Sequence, residues 1–186
     1  MELVVGISGA SGAIYGYGLV RVLDRMGVGV HVVCTPVGQR VLQHECGVGL
    51  DTIRRYATVH SNDDLFSPLA SGSHHTDGMA VVPCSMHTLG VIASGLGEGL
   101  LARAADVTLK ERRRLVVVPR ETPVTIIHME NMLKLGQAGA VIVPASPGFY
   151  NHPQTMSDLV GAMIGRILDI LGVDNQLFTR WGQQGY

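Results

Sequence analysis

The sequence predicts a three-layer, doubly wound α/β fold of the Rossmann-like (flavodoxin-like) kind, with a mostly parallel sheet. The strand candidates are short continuous apolar runs, as parallel strands buried on both faces require, and each is followed by a stretch with helical spacing. Glycine and proline mark the junctions, with 24 Gly and 8 Pro in 186 residues,. At this length and 46% hydrophobic content the chain fits one domain, 1–186, with a sizeable core,.

Residues 3–7 read as a buried strand and 13–26 as a helix with Ile14, Tyr17 or Gly18, Val22 and Met26 along one side, ended by Gly27,. A second strand spans 28–34 and a second helix 36–45. A short helix over 51–57 opens on Asp51 as its cap,. Residues 60–78 are rich in Ser, Asp and His without periodicity, which predicts loops around one short edge element. Strands at 79–82, 115–118 and 140–143 alternate with helices from Ser85, over 100–111 and over 125–135. The last helix, 156–171, has apolar residues at helical spacing, a capping box of Thr155 with Asp158, and Gly172 as its stop,.

Formal net charge is −1 and aromatic content is 5%, so neither nucleic acid nor an anionic membrane is an expected partner,. Three cysteines without a CxxC pair fit a reducing cytoplasm,. No basic leader precedes the first strand, and no apolar stretch reaches the roughly 18 residues of a membrane span. The eight histidines show neither HExxH spacing nor an HxH pair near a carboxylate, so no metal site is expected,.

In open parallel sheets ligands bind outside the carboxyl ends of the strands. Five such ends are polar here: Ser8-Gly9-Ala10-Ser11-Gly12, Thr35-Pro36, Pro83-Cys84-Ser85-Met86-His87-Thr88, Pro119-Arg120-Glu121-Thr122, and the stretch from Pro144 to Tyr150. The first turn spaces its glycines as GxxGxxG, and no acidic residue ends strand two, which removes the dinucleotide fingerprint. It lacks the GK[ST] ending of a P-loop and the GxSxG of a nucleophile elbow. What remains is a hydroxyl-rich turn at a helix N-terminus, suited to one phosphate or equally to an ordinary cap at Ser11 or Gly12. Ser85 and Thr88 form a second such terminus on the same edge. Lys110 to Arg114 reads as a solvated helix end, whereas Arg120 after a buried strand calls for a partner.

Taken together, GISGASGAIYG, ASGS at 70–73, PCSMHTL, LKERR, PRETP, HMENMLKL, GFYNHPQT and LFTRWG, in order along the chain, resemble the flavin prenyltransferases of the UbiX type. The resemblance implies a metal-independent homo-oligomer, usually a dodecamer. It would join a dimethylallyl group from dimethylallyl phosphate to N5 and C6 of reduced FMN, and the product would serve UbiD-type decarboxylases. By matching motif, Gly9, Ala10, Ser11, Thr35, Ser85, Met86, His87, Thr88 and Arg120 would hold FMN. Lys110, Tyr150 and Arg166 would hold the dimethylallyl phosphate, and Ser11, Glu45, Lys110 and Glu121 would act in catalysis, with Trp181 a nearby aromatic. Thr35 stands where many members have Ser, and His87 where many have Lys. Two rivals share the fold: a flavin-dependent decarboxylase of the phosphopantothenoylcysteine type, which would lack the LKERR, PRET and FYxxPQ set, and a flavodoxin-like electron carrier, which needs no second phosphate pocket.

Overall fold

The computed structural model describes residues 1–182. Six parallel strands form one sheet in the order β3-β2-β1-β4-β5-β6: β1 (Glu2–Ile7), β2 (Gly29–Cys34), β3 (Thr58–His60), β4 (Gly78–Cys84), β5 (Arg114–Pro119) and β6 (Val141–Ile142). The helices are α1 (Ala13–Arg25), α2 (Pro36–Cys46), α3 (Leu50–Ile53), α4 (Met86–Ala93), α5 (Gly99–Lys110), α6 (Ile126–Gln137) and α7 (Met156–Leu171). This is the doubly wound architecture that the sequence predicts, and the strand order reverses between β1 and β4,.

Pleating sends alternate residues of each strand to opposite faces. Leu3, Val5 and Ile7 join one core with Leu23 of α1 and Ile164, Ile167 and Leu168 of α7. Val4, Met79, Val81, Leu115 and Val117 join the other with Leu100, Leu101 and Ala105 of α5. Both layers are fully shielded from water, so truncating one such Leu to Ala costs on the order of 2–5 kcal/mol.

Three sequence expectations change. Helix α1 turns a different stripe to the sheet: Ala13, Gly16, Leu19, Val20, Val22 and Leu23 are buried, while Ile14 and Met26 are exposed. Gly16 sets this orientation, because a Cβ there would lie 2.3 Å from the Val82 carbonyl oxygen. The third helix stops at Ile53 and is capped by Gly49, with Asp51 inside its first turn. The edge element is β3, at residues 58–60 and not within the following loop; its β-branched Thr58 and Val59 pair with β2,. In α7, by contrast, the bounds, the Thr155–Asp158 capping box and the left-handed Gly172 stop all stand as read.

Candidate active site

The carboxyl edge of the sheet is built by side-chain and backbone ties between its turns. Ser8, fully buried at the end of β1, donates from Oγ to the Pro83 carbonyl at 2.9 Å and accepts from the Ser85 amide at 2.7 Å. The turn after β1 is thereby locked to the turn after β4, at the point where the strand order reverses. Gly9 completes the fit: a Cβ there would meet Val37 Cγ1 at 2.5 Å, so only glycine lets the start of α2 come this close,.

Beside this junction lies a cavity of about 410 Å³ lined by Gly9, Thr35, Ser85, His87 and Thr88, with Asn62 and the start of α5 opposite. Three helices begin at its wall. Thr35 caps α2 by accepting from the Gly38 amide at 3.0 Å, and Ser85 caps α4 by accepting from the Thr88 amide at 3.2 Å. For α5, Asn62 does this work, its carbonyl accepting from the Leu100 amide and its Oδ1 from the Leu101 amide. Three positive helix ends around one cavity make a site for a multiply charged anion, more than a single terminus provides.

The first turn behaves otherwise than its sequence suggests. Gly12 is the N-cap of α1, in a left-handed conformation and without a side-chain cap bond. Glu45, from the last turn of α2, supplies the acceptor, one carboxylate oxygen taking the Gly12 and Ala13 amides at 2.9 Å each. Burial resists its ionisation, but the Ser11 hydroxyl, the two amides and the Arg120 charge outweigh this and hold the carboxyl below its usual range,. The terminus of α1 is therefore occupied by a carboxylate, and the helix ends at the cavity wall are those of α2, α4 and α5. The exposed Arg120 acts on Glu45 through its charge, without a side-chain contact to it among the described residues.

A second pocket, of about 250 Å³, is lined by Tyr150, Arg166, Ser146, Asn151, Met163 and Phe178. It brings together Tyr150 and Arg166, two of the three residues expected to hold the second substrate; Lys110, the third, is not in it. Asp169 organises it: Arg166 Nη1 donates to the carboxylate at 3.0 Å, and Arg180 makes a bidentate contact at 2.9 and 2.8 Å. The Arg180 contact above all, against the cost of burial, pushes the Asp169 carboxyl down. The Tyr150 and Trp181 rings meet edge to face, their centroids 5.5 Å apart,.

Other expected residues lie apart from these groups. Ala10 is buried just beyond the cavity, and Met86 packs into the core. Glu121 is exposed on the turn after β5 and accepts from the Thr122 amide at 3.0 Å. Lys110 ends α5, so it lies at the amino edge of the sheet, where it pairs with Glu111. Within one chain it is at the far end from both pockets. Ser8, Asn62, Asp169 and Arg180 are the site residues that sequence reasoning missed. Only Ser8 carried a signal, as a hydroxyl closing an otherwise apolar strand.

The profile of the Flavoprotein family matches residues 1–170. The flavin prenyltransferase UbiX of Methanocaldococcus jannaschii is 47% identical over 184 residues, covering 98% of this chain and 99% of the relative. The chain belongs to the UbiX flavin prenyltransferase family. Two UbiX-like crystal structures superpose over its whole length. AnUbiX (PadA1), solved with FMN and dimethylallyl pyrophosphate, has a TM-score of 0.96 at 42% identity, with 98% of that chain covered. The dodecameric FMN-dependent UbiX-like decarboxylase from Escherichia coli O157:H7 has a TM-score of 0.95 at 43% identity, with 100% of that chain covered. Among UbiX-family motifs, LKERR is the one whose lysine this fold holds away from the pockets of its own protomer.

Proposed function

We propose that the chain transfers the dimethylallyl group of dimethylallyl phosphate to N5 and C6 of reduced FMN, making the prenylated flavin used by UbiD-type decarboxylases. The observation that carries this reading is the pair of pockets. One is ringed by three helix N-termini, fit for a flavin phosphate; the other is lined by Tyr150 and Arg166, fit for a second phosphate ester. Reduced FMN supplies the nucleophilic positions. Gly9, Thr35, Ser85, His87 and Thr88 line its pocket, and Arg120, Ser11 and Ala10 stand around the turn beside it. As the allylic C–O bond breaks, negative charge grows on the departing phosphate, and Tyr150 and Arg166 stabilise it with Lys110. Ser11 and the ionised Glu45, neighbours at the start of α1, pass a proton,; Glu121 is the other carboxylate on this edge. Tyr150 and Trp181, edge to face and exposed in the single chain, provide an aromatic wall. No step calls on a metal.

The enzyme acts in the cytoplasm as a homo-oligomer, a dodecamer in this reading. With Lys110 at the far end of its own chain from both pockets, its part in this reaction requires that a neighbouring protomer supply it. The test is anaerobic incubation of the purified protein with reduced FMN and dimethylallyl phosphate. A flavin heavier by one prenyl unit is the expected product by mass spectrometry. No mass shift with either the monophosphate or the diphosphate overturns the reading.

A further inference from the structure

At the β3 side of the sheet, outside the lining of both pockets, four segments bring ionisable groups together on one face. His31 of β2 and His60 of β3 place Nδ1 and Nε2 3.0 Å apart, and His60 Nδ1 lies 2.9 Å from Ser67 Oγ. Glu2 of β1 sets a carboxylate oxygen 3.5 Å from His31 Nε2. His74 comes in from the loop before β4, its ring edge-on to His31 with centroids 5.7 Å apart. One ligand atom each from Glu2, His31 and His74 lie within 4.8 Å of one another.

One polar atom here is not satisfied by the protein: among the described residues, His74 Nε2 is buried without a hydrogen-bond partner. With ring protons directed from His31 to His60 and from His60 to Ser67, His31 Nε2 is a bare acceptor facing the Glu2 carboxylate, and a bound cation satisfies both; with the protons reversed, His31 Nε2 donates to Glu2 and the His74 nitrogen alone is left over,. The 3.5 Å gap between Glu2 and His31 is long for a charge-assisted hydrogen bond,. It matches the separation of about 3.4 Å between two ligands of a tetrahedral ion with bonds near 2.1 Å. The His31–His60–Ser67 chain is also the arrangement that fixes tautomer and ring orientation in a metal-ligating histidine.

The frame is rigid where it must be and open where an ion enters. Glu2 is tied through its backbone, its amide donating to Asp77 Oδ2 at 2.7 Å while its carbonyl accepts from the Asp77 amide at 2.8 Å. Arg113 holds the loop by donating to the carbonyls of Gly72 and His74 at 2.8 and 2.9 Å. The Glu2 side chain is half-exposed.

We infer that Glu2, His31 and His74 bind a divalent first-row transition-metal ion, with water completing its shell and His60 orienting His31. Two nitrogens and one carboxylate without a thiolate suit zinc and its neighbours, not magnesium or calcium. The spacing rule that argues against a metal along the sequence does not apply, because the ligands come from three segments that only the sheet unites. The ion would clip the 72–74 loop to the sheet and take no part in prenyl transfer.

Tag-free protein, stripped with chelator, is given Zn²⁺ and desalted, and bound metal is counted by mass spectrometry beside a thermal melt. One zinc per chain and a raised melting temperature are expected, with neither effect from Mg²⁺ or Ca²⁺. His74→Ala and Glu2→Gln should lose stoichiometric zinc, His60→Ala should weaken it by about 10–100-fold, and His75→Ala should change nothing. Absence of bound zinc in the wild type, or equal zinc in Glu2→Gln, whose exposed isosteric change leaves the fold intact, overturns the inference.

Discussion

Glu45 caps a helix to which it does not belong: its carboxylate, on α2, takes the amides of Gly12 and Ala13 at the start of α1. Glycine at the cap position leaves those donors without a local acceptor, and the neighbouring helix provides one,. Glu45→Ala should therefore destabilise the protein by about 1 kcal/mol in urea denaturation at neutral pH. Because the folded-state carboxyl titrates below its unfolded value of about 4.3, the stabilisation is complete above that pH and fades as pH falls through the folded value. The gap between wild type and variant should close in acid; a gap that stays constant would show that the ionised cap contributes nothing.

Asp169 should govern the second pocket through Arg166 and Arg180. Asp169→Ala leaves both guanidinium groups without their shared anchor, and KM for dimethylallyl phosphate should rise on the order of tenfold, the worth of one charge-assisted hydrogen bond. FMN affinity, read by flavin fluorescence, should not move. Tyr150→Phe and Arg166→Ala should likewise slow transfer with FMN still bound. Loss of FMN binding in these variants would mean that the two pockets are wrongly divided between the substrates.

Lys110 should act across a protomer boundary. Lys110→Ala and Arg166→Ala chains, each nearly inactive alone, should recover activity when co-expressed, because some sites in a mixed oligomer then combine an intact lysine with an intact pocket. Activity no higher than the sum of the separate variants would remove Lys110 from the site.

Helix α6 should belong to the assembly surface. Ile126, Ile127 and Leu133 are 64%, 63% and 62% exposed, and only Leu135 of this helix is buried. An apolar helix of this kind on a single protomer marks a protein contact. Ile127→Asp should yield smaller particles in light scattering with unchanged helix content in circular dichroism; particles of wild-type mass would place the contact elsewhere.

Much of the frame was legible because local chemistry wrote it: α7 announces itself by its capping box, apolar period and glycine stop, and the buried strands by their unbroken apolar runs. The misreadings arise where distant contacts decide. The rotation of α1 depends on the Val82 carbonyl against Gly16, and β3 is strand only because β2 offers it a partner. At the candidate site, the strand ends pointed to the hydroxyl turns and motif resemblance to Tyr150 and Arg166, which the fold places in one pocket. Neither could reveal that Glu45 occupies the α1 terminus, that Asp169 joins two arginines, or that Lys110 lies at the other end of the sheet, since each of these follows from how helices are laid side by side. The Glu2, His31 and His74 grouping is invisible in the same way, its members 29 and 43 positions apart along the chain.

The meeting of α2, α4 and α5 around one cavity bears on choice among flavins. A cell holds riboflavin and FMN with the same ring system, and a ring-shaped slot alone discriminates poorly between them. Three helix ends aimed at one point reward a dianion and give a neutral ribityl hydroxyl little in return. If the proposed flavin phosphate sits in this cavity, the fold screens flavins by their charged tail before the ring chemistry begins.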